Sequence, residues 1–108
     1  MTDKFGLSAE VIERIRSTLA QFSDIKIAIL YGSRAKGNYK TGSDIDLTLK
    51  TTDSISNRLL FRVIGALDDL DLPYSFDVSL FDQIDNADLK DHINRVGLEF
   101  YNAKDFAS

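Results

Sequence analysis

Two aspartates one residue apart, Asp44 and Asp46, follow a Gly32-Ser33 pair after ten residues that hold Arg34, Lys36 and Lys40 and no acid. A third aspartate, Asp77, stands in the alternating stretch YSFDVSLF at 74–81. Clustered carboxylates raise one another's pKa, so such groups persist where a cation holds them. Oxygen ligands with neither Cys nor His beside them point to Mg²⁺ or Mn²⁺ rather than Zn²⁺. Mg²⁺ on a few carboxylates is completed by waters and substrate phosphates, and a pair of such ions suits in-line phosphoryl chemistry. Gly32 would let the backbone approach a phosphate, Ser33 would add a hydroxyl and the N–H groups of a following helical turn, and Arg34 and Lys36 would offset the charge. The chemistry expected is therefore a nucleoside triphosphate held by Gly32, Ser33, Arg34 and Lys36 on one side. On the other side stand two Mg²⁺ (or Mn²⁺) ions on Asp44, Asp46 and Asp77.

The surrounding elements must bring these residues together. Val11, Ile12, Ile15, Leu19 and Phe22 recur at helical spacing, predicting a helix over about 8–22 with Ser8 as its N-cap. The β-branched run IKIAILY predicts a buried strand at 25–31, and Arg34-Ala35-Lys36 a single helical turn. DIDLTLK, 44–50, alternates strictly, which places Asp44 and Asp46 on one face of a strand. A helix over about 54–70 carries Ile55, Leu59, Leu60, Val63, Leu67 and Leu70 and closes at Pro73; the strand 74–81 puts Asp77 on its polar phase. Leu89, Ile93 and Val96 mark a last helix with Gly97 as C-cap, followed by the short extended piece LEFY. A strand-helix-strand unit favours a parallel pair with a right-handed crossover, so the second and third strands should be parallel and the first and second antiparallel. The expected architecture is α+β: a three- to four-stranded mixed sheet with helices packed on one face. The other face is left polar and open, and the three aspartates converge on it. Lys40 reads as a solvated cation, His92 as a surface residue of the last helix, and Tyr31, Tyr74 and Phe100 as core packing rather than base stacking.

At 108 residues, 44% of them hydrophobic and 28% charged, the chain is one globular domain spanning 1–108. It has no cysteine, hence no disulfide framework and no thiolate metal site. A net charge of −4 speaks against general nucleic-acid binding, which calls for a broad basic field. The charge is nonetheless uneven: residues 1–40 hold seven Lys/Arg against four acids, and 41–82 hold three against eight. No apolar run approaches the roughly 20 residues of a membrane span, and MTDKFGLSAE lacks the layout of a signal peptide, so no membrane partner and a cytoplasmic location are expected.

Gly32-Ser33, ten residues, then Asp44-Ile45-Asp46-Leu47 resembles the signature of the DNA polymerase β-like nucleotidyltransferase superfamily. The wording GSRAKG…SDIDL and the short length look most like its minimal branch, and the resemblance runs from the first strand through Asp77 to RVGLEFY at 95–101. It implies a polymerase β palm-like fold and a Mg²⁺-dependent enzyme. In it Asp44 and Asp46 ligate the metals, Asp77 completes the site as ligand or base, and Ser33 contacts the terminal phosphates. For this branch it also implies a helical partner of the HEPN type, encoded alongside. Such a pair acts as toxin and antitoxin, AMP from ATP being transferred to a tyrosine of the toxin. Two alternatives stand beside this reading. One is a non-catalytic nucleotide-binding module that neutralises its partner by contact. The other is a nucleotidyl-transferring subunit acting on a small molecule such as an aminoglycoside.

Overall fold

The computed structural model of the chain describes residues 5–40, 42–52 and 57–106. Ser8 starts the first helix as its sequence position predicts: its hydroxyl accepts from the Val11 N–H at 3.2 Å, and α1 runs Ala9–Leu19. The helix stops short of the expected 22, and the turns Gln21 N–H to Thr18 O and Phe22 N–H to Leu19 O lead the chain into β1, Ile25–Tyr31. A single turn, α2, spans Ser33–Lys36, and β2 spans Ile45–Thr51, beginning one residue after Asp44. Helix α3, Asn57–Asp68, carries the crossover to β3, Phe76–Leu80. The expected helix start at 54–56, with Ile55, lies outside the described residues. A 3₁₀ turn at Phe81–Gln83 leads to α4, Ala87–Val96, then β4, Leu98–Asn102, and a closing turn α5, Ala103–Phe106.

The strands form one mixed sheet in the order β3-β2-β1-β4, with β1 antiparallel to both β2 and β4 and β2 parallel to β3. The β1–β2 and β2–β3 pairings are those expected from the strand-helix-strand crossover, and β4 adds an antiparallel edge beside β1. One face carries Ala28 and Leu30 of β1, Leu47 and Leu49 of β2 and Val78 and Leu80 of β3, all buried. Against it pack Ile12, Ile15 and Leu19 of α1 and Leu59, Val63 and Leu67 of α3, in one continuous core. Each of these side chains contributes about 1.5–3 kcal/mol by leaving water. Phe100, 1% exposed, and Tyr101 belong to the same core rather than to the surface.

The second face was expected to be open, and α4 corrects that. Ile93 of α4 is 1% exposed and shares a cleft with Ile27, Ile29 and Gly97. A Cβ on Gly97 would strike Ile93 O and Ile29 Cγ2, so the end of α4 lies hard against β1. The reason is in β1 itself, whose polar-face positions 27 and 29 are isoleucines that need cover. Helix α4 supplies it there and leaves the end of the face at Tyr31, Asp46 and Asp77 only partly covered. Gly97 thus serves close packing, with φ −66 rather than the left-handed cap that its position suggested.

Candidate active site

The sheet register brings the carboxylates together. Tyr31 at the end of β1 is the partner of Asp46 in β2, and Asp46 is the partner of Asp77 in β3. Partners across a ladder share a face, so a phenol and two carboxylates stand side by side on three adjacent strands. Asp46 is half-buried, while Asp77 and Asp44 are exposed. Gly32 sits directly over this row at φ 79, ψ −157, a conformation open essentially to glycine alone. A Cβ there would collide with Asp46 Oδ2, so glycine meets two requirements at once: the backbone turn and the space for the carboxylate. Ser33 follows as the first residue of α2, and Lys36 ends that turn with its side chain in solvent.

Electrostatics mark Asp46 as the centre of the row. Burial raises its pKa above the ordinary 3.8, the charges of Asp77 and then Asp44 raise it further, and Arg34 opposes them. Burial likewise pushes the Tyr31 phenol up; a Ser79 hydrogen bond pulls it down, and the Asp77 and Asp46 charges add to the rise. Ser79 Oγ also donates to Thr48 Oγ1 at 3.0 Å, and Thr48 is fully buried. A strip of hydroxyls therefore lies beside the two carboxylates on the same face.

Two expectations need correction. The first is the fork of Arg34 as a phosphate grip. Arg34 is 3% exposed; its Nε–H and Nη2–H donate to Ser43 O at 3.1 and 2.8 Å, and its Nη1–H donates to Phe5 O at 2.8 Å. The rings of Tyr39 and Tyr74 flank it at 5.4 and 5.1 Å. Two backbone carbonyls, of Ser43 and Phe5, engage the guanidinium. The second bears on how the three carboxylates, expected to hold two ions between them, are arranged. Among the described residues no group of three acidic or imidazole side chains is arranged to hold one ion. Asp44 directly precedes β2 and is exposed, and its charge reaches Asp46.

The donor chemistry still fits a hard divalent cation: Asp46 and Asp77 adjoin on one face, Asp44 is near, every donor is oxygen, and the raised pKa of Asp46 reflects its burial first and the neighbouring charges of Asp77 and Asp44 second. The carboxylates would supply part of a coordination shell, and Mg²⁺ held in that way normally takes up waters and phosphates. Reading the sequence missed Tyr31, assigned to the core although it is the last strand residue before Gly32. The signal was its phase, since the residue ending β1 at a tight connection faces the start of β2. Tyr74 is correctly a packing residue, against Arg34, and Lys40 is exposed.

The polymerase beta nucleotidyltransferase family model matches residues 13–106. No curated protein sequence matches the chain. Similar solved structures include a toxin–antitoxin complex with AMP-PNP, at TM-score 0.69 and 18% identity over 88% of this chain and 76% of that one. The MntA–HepT toxin–antitoxin complex aligns at TM-score 0.65 and 16% identity, over 92% of this chain and 76% of that one. A tri-AMPylated HEPN toxin of Shewanella oneidensis in complex with its MNT antitoxin aligns at TM-score 0.57 and 16% identity, over 90% and 71%. These likenesses show the fold, and the family model, covering both the Gly32-Ser33 turn and all three aspartates, shows the lineage: the chain belongs to the polymerase beta nucleotidyltransferase family.

Proposed function

We propose that the chain transfers a nucleoside monophosphate, AMP from ATP, to a hydroxyl group on a helical protein partner. The observation that carries this is the ladder pairing of Asp46 with Asp77 beneath the Gly32 turn. Asp46 and Asp77, with Asp44 beside them, would hold divalent metal. Bound there, the metal supplies charge neutralisation on the phosphates and alignment for in-line displacement. Gly32 admits the triphosphate close to the backbone, Ser33 offers its hydroxyl to the terminal phosphates, and exposed Lys36 offsets their charge. Asp77, the most accessible of the paired carboxylates, takes the proton of the attacking hydroxyl as its oxygen bonds to the α-phosphorus and pyrophosphate leaves.

The similar structures support the choice of acceptor: toxin–antitoxin complexes, one of them holding a tri-AMPylated HEPN toxin. A tyrosine of such a toxin is the acceptor, and the chain is its antitoxin. Incubation with a HEPN-type protein encoded beside it, ATP and Mg²⁺ should add one or more AMP masses to that protein in intact-mass spectrometry. The additions should vanish with Asp46→Ala. A partner that is bound and inhibited yet unmodified would instead favour neutralisation by contact.

A further inference from the structure

The guanidinium of Arg34 joins two segments that are far apart in sequence. Nε and Nη2 grip the carbonyl of Ser43, the residue before Asp44, while Nη1 grips the carbonyl of Phe5. The Phe5–Gly6 turn is itself shaped for this contact. Both residues have positive φ, 59 and 73, and for a bulky Phe that conformation is strained and persists only where neighbours hold it. One neighbour is Arg34; another is Phe100, whose ring lies 6.0 Å from that of Phe5. Gly6 leaves no room to spare: a Cβ would run into the Tyr39 ring and come within 2.9 Å of Arg34 Nη1. Tyr39, 39% exposed, closes over the guanidinium from the loop, and Tyr74 closes from the other side. On the loop, the Lys40 N–H donates to Ser43 Oγ at 2.8 Å and the Ser43 N–H to Lys40 O at 2.9 Å, so the anchor residue is fixed within its own turn.

We propose that Arg34 is a positioning residue: it latches the loop between α2 and β2 to the Phe5–Gly6 turn and thereby sets where Asp44 stands relative to Asp46. The proposal rests on the nucleotidyltransferase reading for its consequence in binding, but not for the latch itself. A lysine in place of Arg34 keeps the charge and loses the fork, so it separates a geometric role from a purely electrostatic one. Three variants suffice: Arg34→Lys, Tyr39→Ala and Tyr39→Phe. The readouts are amide hydrogen exchange along the whole chain and calorimetric titration with Mn²⁺-ATP.

In Arg34→Lys, exchange should quicken at Ser43 and Ile45 and stay at the wild-type rate in α1 and α3. Mn²⁺-ATP should bind roughly tenfold or more weakly, the scale of losing hydrogen bonds from a charged donor. Tyr39→Ala, at a partly exposed ring, should loosen the same amides and weaken binding roughly threefold, the scale of a cation–π contact, while Tyr39→Phe restores both. Should Arg34→Lys fail to fold, the Tyr39 pair carries the test alone. Wild-type exchange at Ser43 and Ile45 in the folded variants, or quickening spread evenly over the chain, overturns the latch. Undiminished Mn²⁺-ATP binding with a loosened loop overturns the positioning of Asp44. A wild-type chain that binds no Mn²⁺-ATP refutes the proposed function instead, and the exchange data then decide the latch by themselves.

Discussion

Burial and two neighbouring charges disfavour the charged form of Asp46, so the folded, metal-free chain binds its proton more tightly than the unfolded one does. The sign follows from linkage. Between the ordinary value of 3.8 and the raised folded value, the folded state carries more protons, so stability falls as pH rises through that window. Above the window the full penalty remains. Asp46→Asn should therefore melt higher than wild type at neutral pH, by roughly 2–5 °C, and gain less on mild acidification; thermal denaturation across pH in EDTA measures both. A lower melting point for the variant would make the carboxylate structural. Mg²⁺ should raise the melting point of wild type and not of Asp46→Asn, since a ligand of the folded state alone stabilises it. Gly32→Ala tests the turn above it. The backbone strain alone should cost about 1–3 kcal/mol in denaturant unfolding, and the displaced Asp46 should also lose metal. Asp44, Asp46 and Asp77 were legible because residue type and spacing name them directly. The direction of Arg34 was not, because its carbonyl partner at Phe5 lies 29 residues away in a strained turn that no local pattern announces.

At the scale of elements, periodicity said which side of α4 turns inward, Ile93 at its centre, but not what that side meets. Leu89, Ile93 and Val96 would serve equally on either face of the sheet. What decides is β1, where Ile27 and Ile29 occupy the phase that Tyr31 continues toward the site, and an amphipathic helix is the cheapest cover for them. The strands were legible for the opposite reason: alternation in DIDLTLK and YSFDVSLF fixes the face of each residue, and the crossover through α3 fixes parallel pairing. Because α4 covers only the Ile27–Ile29 part of that face, its packing and the carboxylate row should be separable. Ile93→Ala should cost about 2–4 kcal/mol in urea unfolding through the cavity it leaves, yet the folded variant should bind Mg²⁺-ATP as wild type does. Weakened binding would mean that α4 supports the site as well as the sheet.

The whole molecule has a division of surface that bears on what it can accept. The core face of the sheet is closed by α1 and α3, and α4 shields one end of the other face. The end bearing Tyr31, Asp46 and Asp77 is only partly covered among the described residues, with Asp77 exposed. If it presents a nucleotide as proposed, such a face does little to confine a second substrate. In-line transfer requires the attacking oxygen to be held at close range and in line with the departing pyrophosphate, and the positioning that one partner lacks must come from the other. On the proposed function, a folded helical protein docked over the open end would supply it, and a free amino acid would not. Transfer of AMP should therefore depend on the fold of the acceptor as much as on its hydroxyl. With ATP and Mg²⁺, pyrophosphate release driven by tyrosine amide or by an unstructured tyrosine peptide should show kcat/KM at least ~10²-fold below that driven by the intact helical partner, because misplacement alone costs that much. Equal rates with free tyrosine would mean that this chain confines the acceptor by itself, and this end of the sheet would then have to close around it.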